Sequence, residues 1–383
     1  MEHRMCKRCV MDTTDPDIEF DDNGVCNHCH KYDQRIEQLI HSGQEGLQKL
    51  DSIVAEIKAK GKNRRYDCVI GVSGGVDSTY TAYKVKEYGL RPLAVHLDNG
   101  WDSELAVKNI ENICNKLEID LHTCVLDWEE FKDLQLAFLK SSTPDSEIPS
   151  DHAIWAAMWQ SARMHKVEYL ISGCNARTES HLPKAWSQGY YDWTYISNIY
   201  KQFGTGTLRT FPHVNFLQWH YCKRVIKRID ILNYLDYSKT KAMPVIEKEI
   251  GWKYYGGKHY ESIYTRFFQG YILPTKFGFD KRRNHLSSLI CSGEITREEA
   301  LEELKEETYP TDLQKEDLAY VIKKFGITED EFDRIMNLPL KQYRDYPTYE
   351  DFYLTRLYKI CQAIVIVLRK LRGKINSAII IVE

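Results

Sequence analysis

At 383 residues, the chain is long enough for two domains, or for one domain with additions, and for a sizeable hydrophobic core. Its 52 basic and 55 acidic residues nearly balance, so no overall positive field recruits nucleic acid or an anionic membrane. The sequence opens without an apolar leader and holds no apolar run of membrane-spanning length, so we expect a cytoplasmic protein that acts on a small molecule.

The N-terminal stretch, residues 1–31, predicts a zinc ribbon. It carries two Cys-x2-Cys pairs, formed by Cys6, Cys9, Cys26 and Cys29. Thiolates in a tetrahedral set select Zn²⁺, and four protein ligands leave no open position, so the ion is expected to be structural. Because the four thiols complete the site, His28 and His30 are expected on solvated loop positions.

Residues 32–65 predict a helical linker. Their apolar side chains recur with helical periodicity on both sides of a break at Ser42 and Gly43, which indicates two amphipathic helices. A short basic connector, residues 61–65, leads into the predicted catalytic domain, residues 66–290.

A glycine-rich loop lies near the start of that domain. The apolar run of residues 66–72 enters Ser73-Gly74-Gly75-Val76-Asp77-Ser78, after which a helical pattern begins. Adjacent glycines let successive N–H groups converge, and the helix dipole adds attraction for an anion. The sequence therefore predicts a phosphate site, although the loop has neither the Lys-Ser/Thr ending of a Walker motif nor the spacing of a dinucleotide fingerprint.

This loop resembles the pyrophosphate loop, or PP-loop, of the ATP pyrophosphatases, a superfamily that includes asparagine synthetase, GMP synthetase and NAD synthetase. Its members adenylate a carbonyl oxygen with ATP and release pyrophosphate. The resemblance implies that Asp77 helps to hold Mg²⁺ and that the leaving pyrophosphate is bound by Ser73, Gly74, Gly75, Asp77 and Ser78.

Three further strands are predicted after the loop and its helix, at residues 93–98, 121–125 and 168–172. Strand, helix, strand units of this length imply a parallel, doubly wound α/β sheet with ligands at the carboxyl ends of the strands. In the superfamily the end of the second strand borders the adenosine. The resemblance thus implies that Asp98 is a polar wall, with a strand-capping turn residue as the alternative, and that adenine meets the backbone of Val95, His96 and Leu97.

A helical segment after residues 145–150 is predicted to begin with Asp151 as its N-cap. His152 would then lie in the first turn, where a positive charge is disfavoured. We therefore expect a neutral imidazole that forms a hydrogen bond, and His152 is one of the candidate substrate contacts.

Motifs in the second half sharpen the resemblance. The fourth strand leads into Gly173-Cys174-Asn175 and then Glu179, with Pro183 and Trp186 beyond. A distal segment reads Gly257-Lys258-His259-Tyr260-Glu261-Ser262, followed by Thr265-Arg266-Phe267. Together with the cysteine pairs and the loop, this combination resembles the N-acetyl sugar amidotransferases of bacterial O-antigen and surface-glycan pathways, over nearly the whole chain.

That resemblance implies roles for individual residues. Gly173 would approach the α-phosphate, and Asn175 and Glu179 would face the substrate or Mg²⁺, with a helix cap and a solvated helix position as their alternatives. Cations for the pyrophosphate or for a sugar carboxylate would come from Lys258, Arg266 and Lys281. Further substrate contacts would come from Trp186, His259 and Glu261. Cys174 is expected to be a packed thiol rather than a reactive one.

The resemblance also implies the reaction. An ATP-dependent amidotransferase would adenylate the N-acetyl carbonyl of a UDP-linked acetamido sugar, in the first instance a diacetamido uronic acid. Ammonia would then displace AMP and leave an acetamidino group, in lipopolysaccharide O-antigen or related glycan biosynthesis. ATP, Mg²⁺ and a structural Zn²⁺ are the implied cofactors. Because no cysteine sits in a glycine-flanked nucleophile elbow, glutamine hydrolysis is expected on another subunit. The resemblance implies that this partner is a class I glutaminase working with a barrel subunit that channels the ammonia.

The alternative class is a PP-loop enzyme that modifies tRNA by sulfur transfer or lysidine formation. Such an enzyme shares the loop but is expected to carry a basic RNA-binding face. For sulfur transfer it should also carry paired reactive cysteines. Neither feature is evident in this sequence.

Residues 291–383 predict a helical C-terminal region. Helices are expected after Thr296, on either side of Gly326 between residues 310 and 336, and in the apolar stretch 352–371, with a strand at residues 378–382. The apolar helix suits packing over the catalytic domain, and a homodimer contact is the alternative.

Overall fold

A parallel five-stranded sheet forms the centre of the protein. The computed structural model describes residues 3–257, 260–355 and 358–367. The strands are β1 (Cys68–Gly71), β2 (Pro92–Asp98), β3 (Asp120–Val125), β4 (Tyr169–Ser172) and β5 (Lys227–Asp230). They lie in the order β3-β2-β1-β4-β5, and all neighbouring strands are parallel. The predicted doubly wound α/β sheet is confirmed.

Helices precede, connect and follow the strands. The α-helices up to the last strand are α1 (Asn27–Leu39), α2 (Gly43–Gly61), α3 (Val76–Glu87), α4 (Glu104–Leu117), α5 (Trp128–Ser141), α6 (Ile148–Met164), α7 (Ala176–Glu179), α8 (Trp193–Phe203) and α9 (Phe216–Val225). Those after it are α10 (Lys239–Ile250), α11 (Ile263–Phe267), α12 (Arg282–Ser292), α13 (Arg297–Glu303), α14 (Thr311–Phe325), α15 (Glu329–Met336) and α16 (Tyr349–Leu354). A π-helical stretch, Phe268–Phe277, joins α11 to the loop before α12, and short 3₁₀ turns lie at Ile231–Tyr234 and Tyr343–Asp345.

The apolar residues of the strands alternate between two cores, one on each face of the sheet. In β1, Cys68 and Ile70 belong to one core and Val69 to the other. The chain winds from β1 to β2 and β3 on one side, whereas β4 and β5 lie on the other side. The connections therefore diverge between the carboxyl ends of β1 and β4, which is where open α/β sheets bind their ligands.

The first four strands lie within two residues of their predicted bounds, and β5 was not predicted. β5 reads Lys-Arg-Ile-Asp and is partly exposed at the edge of the sheet. An edge strand with one hydrogen-bonded neighbour needs little apolar surface, so hydrophobic periodicity does not reveal it.

The cysteine-rich N-terminal segment packs on the helices α12 and α13. Val10 shares a small core with Leu286 of α12 and Ala300 of α13. The guanidinium of Arg297 donates to the carbonyl oxygens of Cys6 at 3.0 Å and Cys9 at 3.1 Å. The predicted zinc ribbon is thus in contact with α12 and α13, which flank the predicted start of the C-terminal region. The bounds of the domains remain predictions.

The helices predicted after Thr296 and around Gly326 correspond to α13, α14 and α15. Residues 358–367 are also helical, but they are mostly exposed and do not pack over the sheet as expected. Residues 368–371 of the predicted apolar helix and the predicted strand at 378–382 lie outside the described residues. Across the described ranges, every helix is too short or too polar to traverse a lipid bilayer.

Candidate active site

The glycine-rich loop connects β1 to α3 at the carboxyl edge of the sheet. Gly74 has a φ of +77°, and a Cβ atom there would lie 2.7 Å from the carbonyl oxygen of Ala106, so both the backbone conformation and the close packing require glycine. The Gly74 carbonyl accepts hydrogen bonds from Trp252 Nε1 at 2.8 Å and Asn109 Nδ2 at 3.4 Å. These contacts fix the loop from the side of α4 and α10.

The hydroxyl groups of the loop form a small network. Ser73 Oγ lies 3.1 Å from Ser78 Oγ and accepts from the backbone N–H of Gly75 at 3.3 Å. Helix α3 begins at Val76 without a side-chain cap, because its N-cap is Gly75. The N–H groups of a first helical turn have no partner within the helix and attract an anion. The loop therefore has the geometry of a phosphate cradle.

Gly173, which follows β4, closes the other side of this cradle. A Cβ atom at Gly173 would lie 3.0 Å from the carbonyl carbon and oxygen of Asp77 and 3.2 Å from the backbone nitrogen of Ser78. The absence of a side chain lets the end of β4 approach the first turn of α3. The structure thus brings Gly173 to the predicted PP-loop.

A partly buried cluster surrounds the carboxylate of Asp77. Tyr237 donates a hydrogen bond to Asp77 Oδ1, and Lys239 Nζ lies 3.1 Å from Asp77 Oδ2. Burial opposes the charge on Lys239, but Asp77, Glu179 and Glu261 outweigh it and raise the lysine pKa above its ordinary value. Burial, followed by the negative charge of Asp77, raises the pKa of Tyr237. A cationic lysine and a protonated tyrosine therefore face the PP-loop aspartate.

The distal segment brings Glu261 to the same place. Its backbone carbonyl accepts from the N–H of Ser103 at 2.8 Å, and Ser262 forms an antiparallel bridge with Asp102. A Cβ atom at Gly75 would lie 3.3 Å from the Tyr255 hydroxyl and 4.0 Å from a carboxylate oxygen of Glu261. Burial and the charge of Glu261 raise the pKa of Tyr255. This segment thus forms one wall of the PP-loop.

Carboxylate oxygens are the ligands that Mg²⁺ prefers, and three carboxylates lie near the loop. Asp77, Glu179 and Glu261 all act on the charge of Lys239, but among the described residues their oxygen atoms are not close enough to one another to form a ready-made ion site. Asp77 would hold the ion together with the phosphates of ATP, whose charge the ion would neutralise.

The other cations proposed from the sequence are engaged elsewhere. Arg266 forms a bidentate ion pair with Asp317, with N–O distances of 2.7 and 2.8 Å; the Asp317 side chain is buried and that of Arg266 is partly buried. Lys281 Nζ lies 3.8 Å from Glu147. Lys258, like the candidate substrate residue His259, lies outside the described residues. The structure therefore differs from the expectation that Arg266 and Lys281 face the phosphates.

The end of β2 borders a cavity of about 260 Å³. Asp98 lines it, and its carboxylate accepts from the backbone N–H of Gly100 at 2.9 Å, which is the strand-capping arrangement. Val95 and Leu97 are buried in the sheet. The His96 side chain donates a hydrogen bond from Nδ1 to the Val72 carbonyl at 3.1 Å. This residue therefore connects β2 to the start of the PP-loop.

Two of the proposed substrate residues belong to the core instead. Helix α6 begins at Ile148, so Asp151 lies inside its first turn and is not its N-cap. His152 is fully buried, donates from Nδ1 to the Tyr190 carbonyl at 2.7 Å and accepts at Nε2 from the Val214 N–H at 3.1 Å. With both ring nitrogens engaged, it serves packing rather than substrate contact. Trp186 is likewise buried and stacks on Phe279, with ring centroids 4.3 Å apart.

The segment after β4 places Asn175 and Glu179 near each other. Asn175 is the N-cap of α7 and accepts from the Thr178 N–H at 3.0 Å, while its own N–H lies 3.4 Å from Glu179 Oε2. The Nδ2 atom of Asn175 is buried and has no partner among the described residues. Burial raises the pKa of the adjacent Cys174 thiol to about 12, as suits an unreactive packed thiol.

The four N-terminal cysteines converge as a zinc site requires. All four are fully buried, and their sulfur atoms lie 3.7 to 3.9 Å apart along the Cys9–Cys26, Cys26–Cys29 and Cys6–Cys29 edges. A tetrahedron with Zn–S bonds of about 2.3 Å has edges of about 3.8 Å, so the site fits the ion. His28 is buried against Asp15 at 2.6 Å rather than solvated. His30 is exposed as expected, but both histidines lie in α1 rather than in a loop.

Sequence reasoning missed Lys239, Tyr237 and Tyr255. Lys239 opens α10 shortly after β5, so a correct placement of β5 would have brought it to the carboxyl edge of the sheet. The signal was the polar stretch of residues 236–241, which leads into α10. It was lost because β5 was not recognised and because the mostly apolar residues 231–235 separate this stretch from the strand.

Comparison with known proteins gives one family-model match and several sequence matches that cover different shares of the chain. Residues 261–361 match a family model described as LPS biosynthesis protein WbpG-like, C-terminal domain. An uncharacterized protein of Methanocaldococcus jannaschii is 22% identical over 81% of this chain and 96% of its own length. A tRNA(Ile)-lysidine synthase of Chlamydia pneumoniae is 34% identical over 22% of this chain, which spans only 27% of that enzyme.

Among solved structures, the NH3-dependent NAD synthetase of Campylobacter jejuni aligns with a TM-score of 0.30 and 15% identity, over 73% of this chain and 96% of its own. The chain is therefore similar to the WbpG-like model over residues 261–361 and, over about a quarter of its length, to PP-loop enzymes that modify tRNA.

Proposed function

We propose that this enzyme converts the N-acetyl group of a UDP-linked acetamido sugar into an acetamidino group, with a diacetamido uronic acid as the first candidate. The proposal depends on one observation, which is that the segment matching the WbpG-like model lies next to the PP-loop. The segment that matches the WbpG-like model begins at Glu261, and Glu261 lies against Gly75 of the PP-loop. A segment typical of a surface-polysaccharide enzyme thus forms a wall of the ATP site.

The chemistry follows from what an amide carbonyl requires. The acetyl oxygen attacks the α-phosphorus of ATP, and pyrophosphate leaves with the bonding electron pair. Ammonia then adds to the activated carbon, loses a proton, and AMP departs with the original acetyl oxygen. Lys239 and the first-turn N–H groups of α3 stabilise the charge on the phosphates, because preorganised donors and cations act strongly at such a site.

Three carboxylates, those of Asp77, Glu179 and Glu261, lie close enough to Lys239 to act on its charge. Asp77 and its neighbours orient the phosphates, and Glu179 or Glu261 accepts the proton that ammonia loses. Tyr237 and Tyr255 remain protonated donors, because burial and nearby carboxylates raise their pKa values. We propose that the ammonia comes from a glutaminase subunit with a channelling barrel partner.

The test is product formation by the purified chain. ATP, Mg²⁺ and ammonium chloride are supplied with a panel of UDP-linked N-acetyl sugars and uronic acids, and AMP and pyrophosphate are measured. We expect sugar-dependent release and a product lighter by the difference between an oxygen atom and an NH group. A heavy-oxygen label in the acetyl carbonyl should appear in AMP. Glutamine in place of ammonium should give no product unless the glutaminase is added.

A second candidate is tRNA modification, favoured by the local match to lysidine synthase. A parallel reaction with total tRNA separates the two functions. AMP release that depends on tRNA and not on any sugar would replace the sugar assignment, while release with neither would contradict both.

A further inference from the structure

A second set of metal-binding side chains adjoins the four-cysteine site. Cys291 Sγ in α12 lies 3.8 Å from Cys29 Sγ and 3.6 Å from His181 Nε2. The three ligand atoms all lie within 4.8 Å of one another. A tetrahedral zinc ion with Zn–S and Zn–N bonds of about 2.3 and 2.0 Å separates its ligand atoms by about 3.5–3.8 Å. The Cys291 contacts therefore match two edges of a zinc coordination sphere.

The histidine is oriented for this role. Ser288 donates its hydroxyl proton to the Asn284 carbonyl at 3.1 Å, so its oxygen accepts the proton on Nδ1 of His181, which lies 3.0 Å away. That hydrogen bond leaves the lone pair of Nε2 directed at Cys291. A hydrogen bond from the distal ring nitrogen is the usual way in which proteins orient a metal-binding imidazole.

One coordination position would remain open. Cys291 lines a cavity of about 350 Å³, together with Tyr32, Asp33 and Arg177. Three protein ligands and an open fourth position distinguish this site from the closed site of the four N-terminal cysteines. A second cation also offsets negative charge, because four thiolates on one Zn²⁺ leave the cluster anionic.

We propose that Cys29, His181 and Cys291 bind a second Zn²⁺ ion, with the Cys29 thiolate bridging it to the ion held by the four N-terminal cysteines. The bridged pair ties α1, the segment after α7 and α12 together. Since His181 lies two residues after Glu179, the second ion holds the segment that delivers Glu179 to the ATP site.

The metal content of the full-length protein tests this site without any activity assay. After purification with zinc and dialysis against metal-free buffer, elemental analysis should give about two zinc ions per chain, following the two ligand sets. Cys291→Ser should lose about one of them and keep the other. Cys114→Ser, a partly buried thiol on α4 outside both ligand sets, should keep both. One zinc ion per chain in the wild type would overturn the proposal.

Two further measurements cover the case in which Cys291→Ser does not fold. Ser288→Ala leaves every ligand in place and removes the partner of His181 Nδ1, so one zinc ion should transfer to a chelator faster than in the wild type. In the cobalt-substituted protein, a thiolate bridge should couple the two ions and reduce the electron paramagnetic resonance signal per cobalt. Unchanged zinc transfer together with uncoupled cobalt would contradict the bridge. All these readouts are independent of the sugar reaction.

Discussion

Lys239 Nζ lies 3.1 Å from Asp77 Oδ2, although the two residues are 162 positions apart in the chain. One comes from the first turn of the helix after β1, and the other from the first turn of the helix after β5. The sheet brings both helix N-termini to the same edge. This pair therefore combines the PP-loop aspartate with a cation at the expected position of the pyrophosphate.

Lys239→Met is expected to reduce pyrophosphate release by a factor of about 10² to 10³, the usual cost of losing one preorganised charge contact. The physical reason is the loss of the cation beside Asp77, and the measurement is the steady-state rate at saturating ATP. Lys241→Met is the matched control, since that side chain is 68% exposed and pairs with Asp236. Equal rates for the two variants would contradict a phosphate role for Lys239.

Gly173→Ala is expected to weaken ATP binding about tenfold or more, because forcing a methyl group into a packed contact costs about 1–3 kcal/mol. The new Cβ atom would press on the Asp77 carbonyl and move the end of β4 away from the PP-loop. Titration calorimetry with ATP measures the effect. At Gly206 a Cβ atom first meets the Tyr200 hydroxyl at 3.3 Å, so Gly206→Ala should bind ATP like the wild type. A wild-type affinity for Gly173→Ala would exclude the close approach.

The PP-loop and the end of β4 were predictable because each follows a buried run of apolar residues that fixes a central strand. Once two parallel strands are placed, their carboxyl ends must share one edge. Gly74 and Gly173 were identified for the same reason, since glycines at such ends mark close approach. The cysteine spacing was equally informative, because two Cys-x2-Cys pairs are the usual spacing of a tetrahedral structural zinc site.

Lys239 was not predictable in the same way, because its position depends on β5, in which three of the four residues are charged. Arg266 shows the opposite difficulty. A basic residue in a motif suggests a phosphate contact, but its bidentate partner Asp317 is 51 residues distant. Such pairs are set by tertiary packing and leave no periodic signal in the sequence.

Arg266→Met is expected to lower the free energy of unfolding by about 3–5 kcal/mol, because it leaves the buried Asp317 carboxylate without its partner. The double variant, Arg266→Met with Asp317→Leu, should recover most of that stability, since a buried ion pair can often be replaced by apolar groups. Urea denaturation measures both. We also expect the double variant to regain pyrophosphate release. A stable but inactive double variant would indicate that Arg266 has a role in catalysis, as the sequence suggested.

Cys174→Ala is expected to keep full activity. Burial raises the pKa of this thiol to about 12, so the thiolate needed for sulfur transfer is scarce at neutral pH. Alkylation should label the exposed Cys361 and leave Cys174 unmodified in the folded protein, as peptide mass mapping would show. Loss of turnover in Cys174→Ala, with wild-type turnover in Cys114→Ala, would instead favour the sulfur-transfer class.

His152 should make the protein less stable in mild acid. Burial lowers the pKa of its imidazole to about 4, whereas the unfolded side chain titrates near about 6.5. Between these two values the unfolded chain binds one more proton than the folded chain. The contribution of neutral His152 to the free energy of unfolding is therefore complete above about pH 6.5 and is lost as the pH falls toward 4. The total loss is about 3 kcal/mol. Urea denaturation across this range should show a stability difference between wild type and His152→Gln that shrinks with acidification. A difference that does not change with pH would mean that the imidazole has the same pKa in the folded and the unfolded chain, as a solvent-exposed side chain has, and would restore His152 as a candidate for substrate contact.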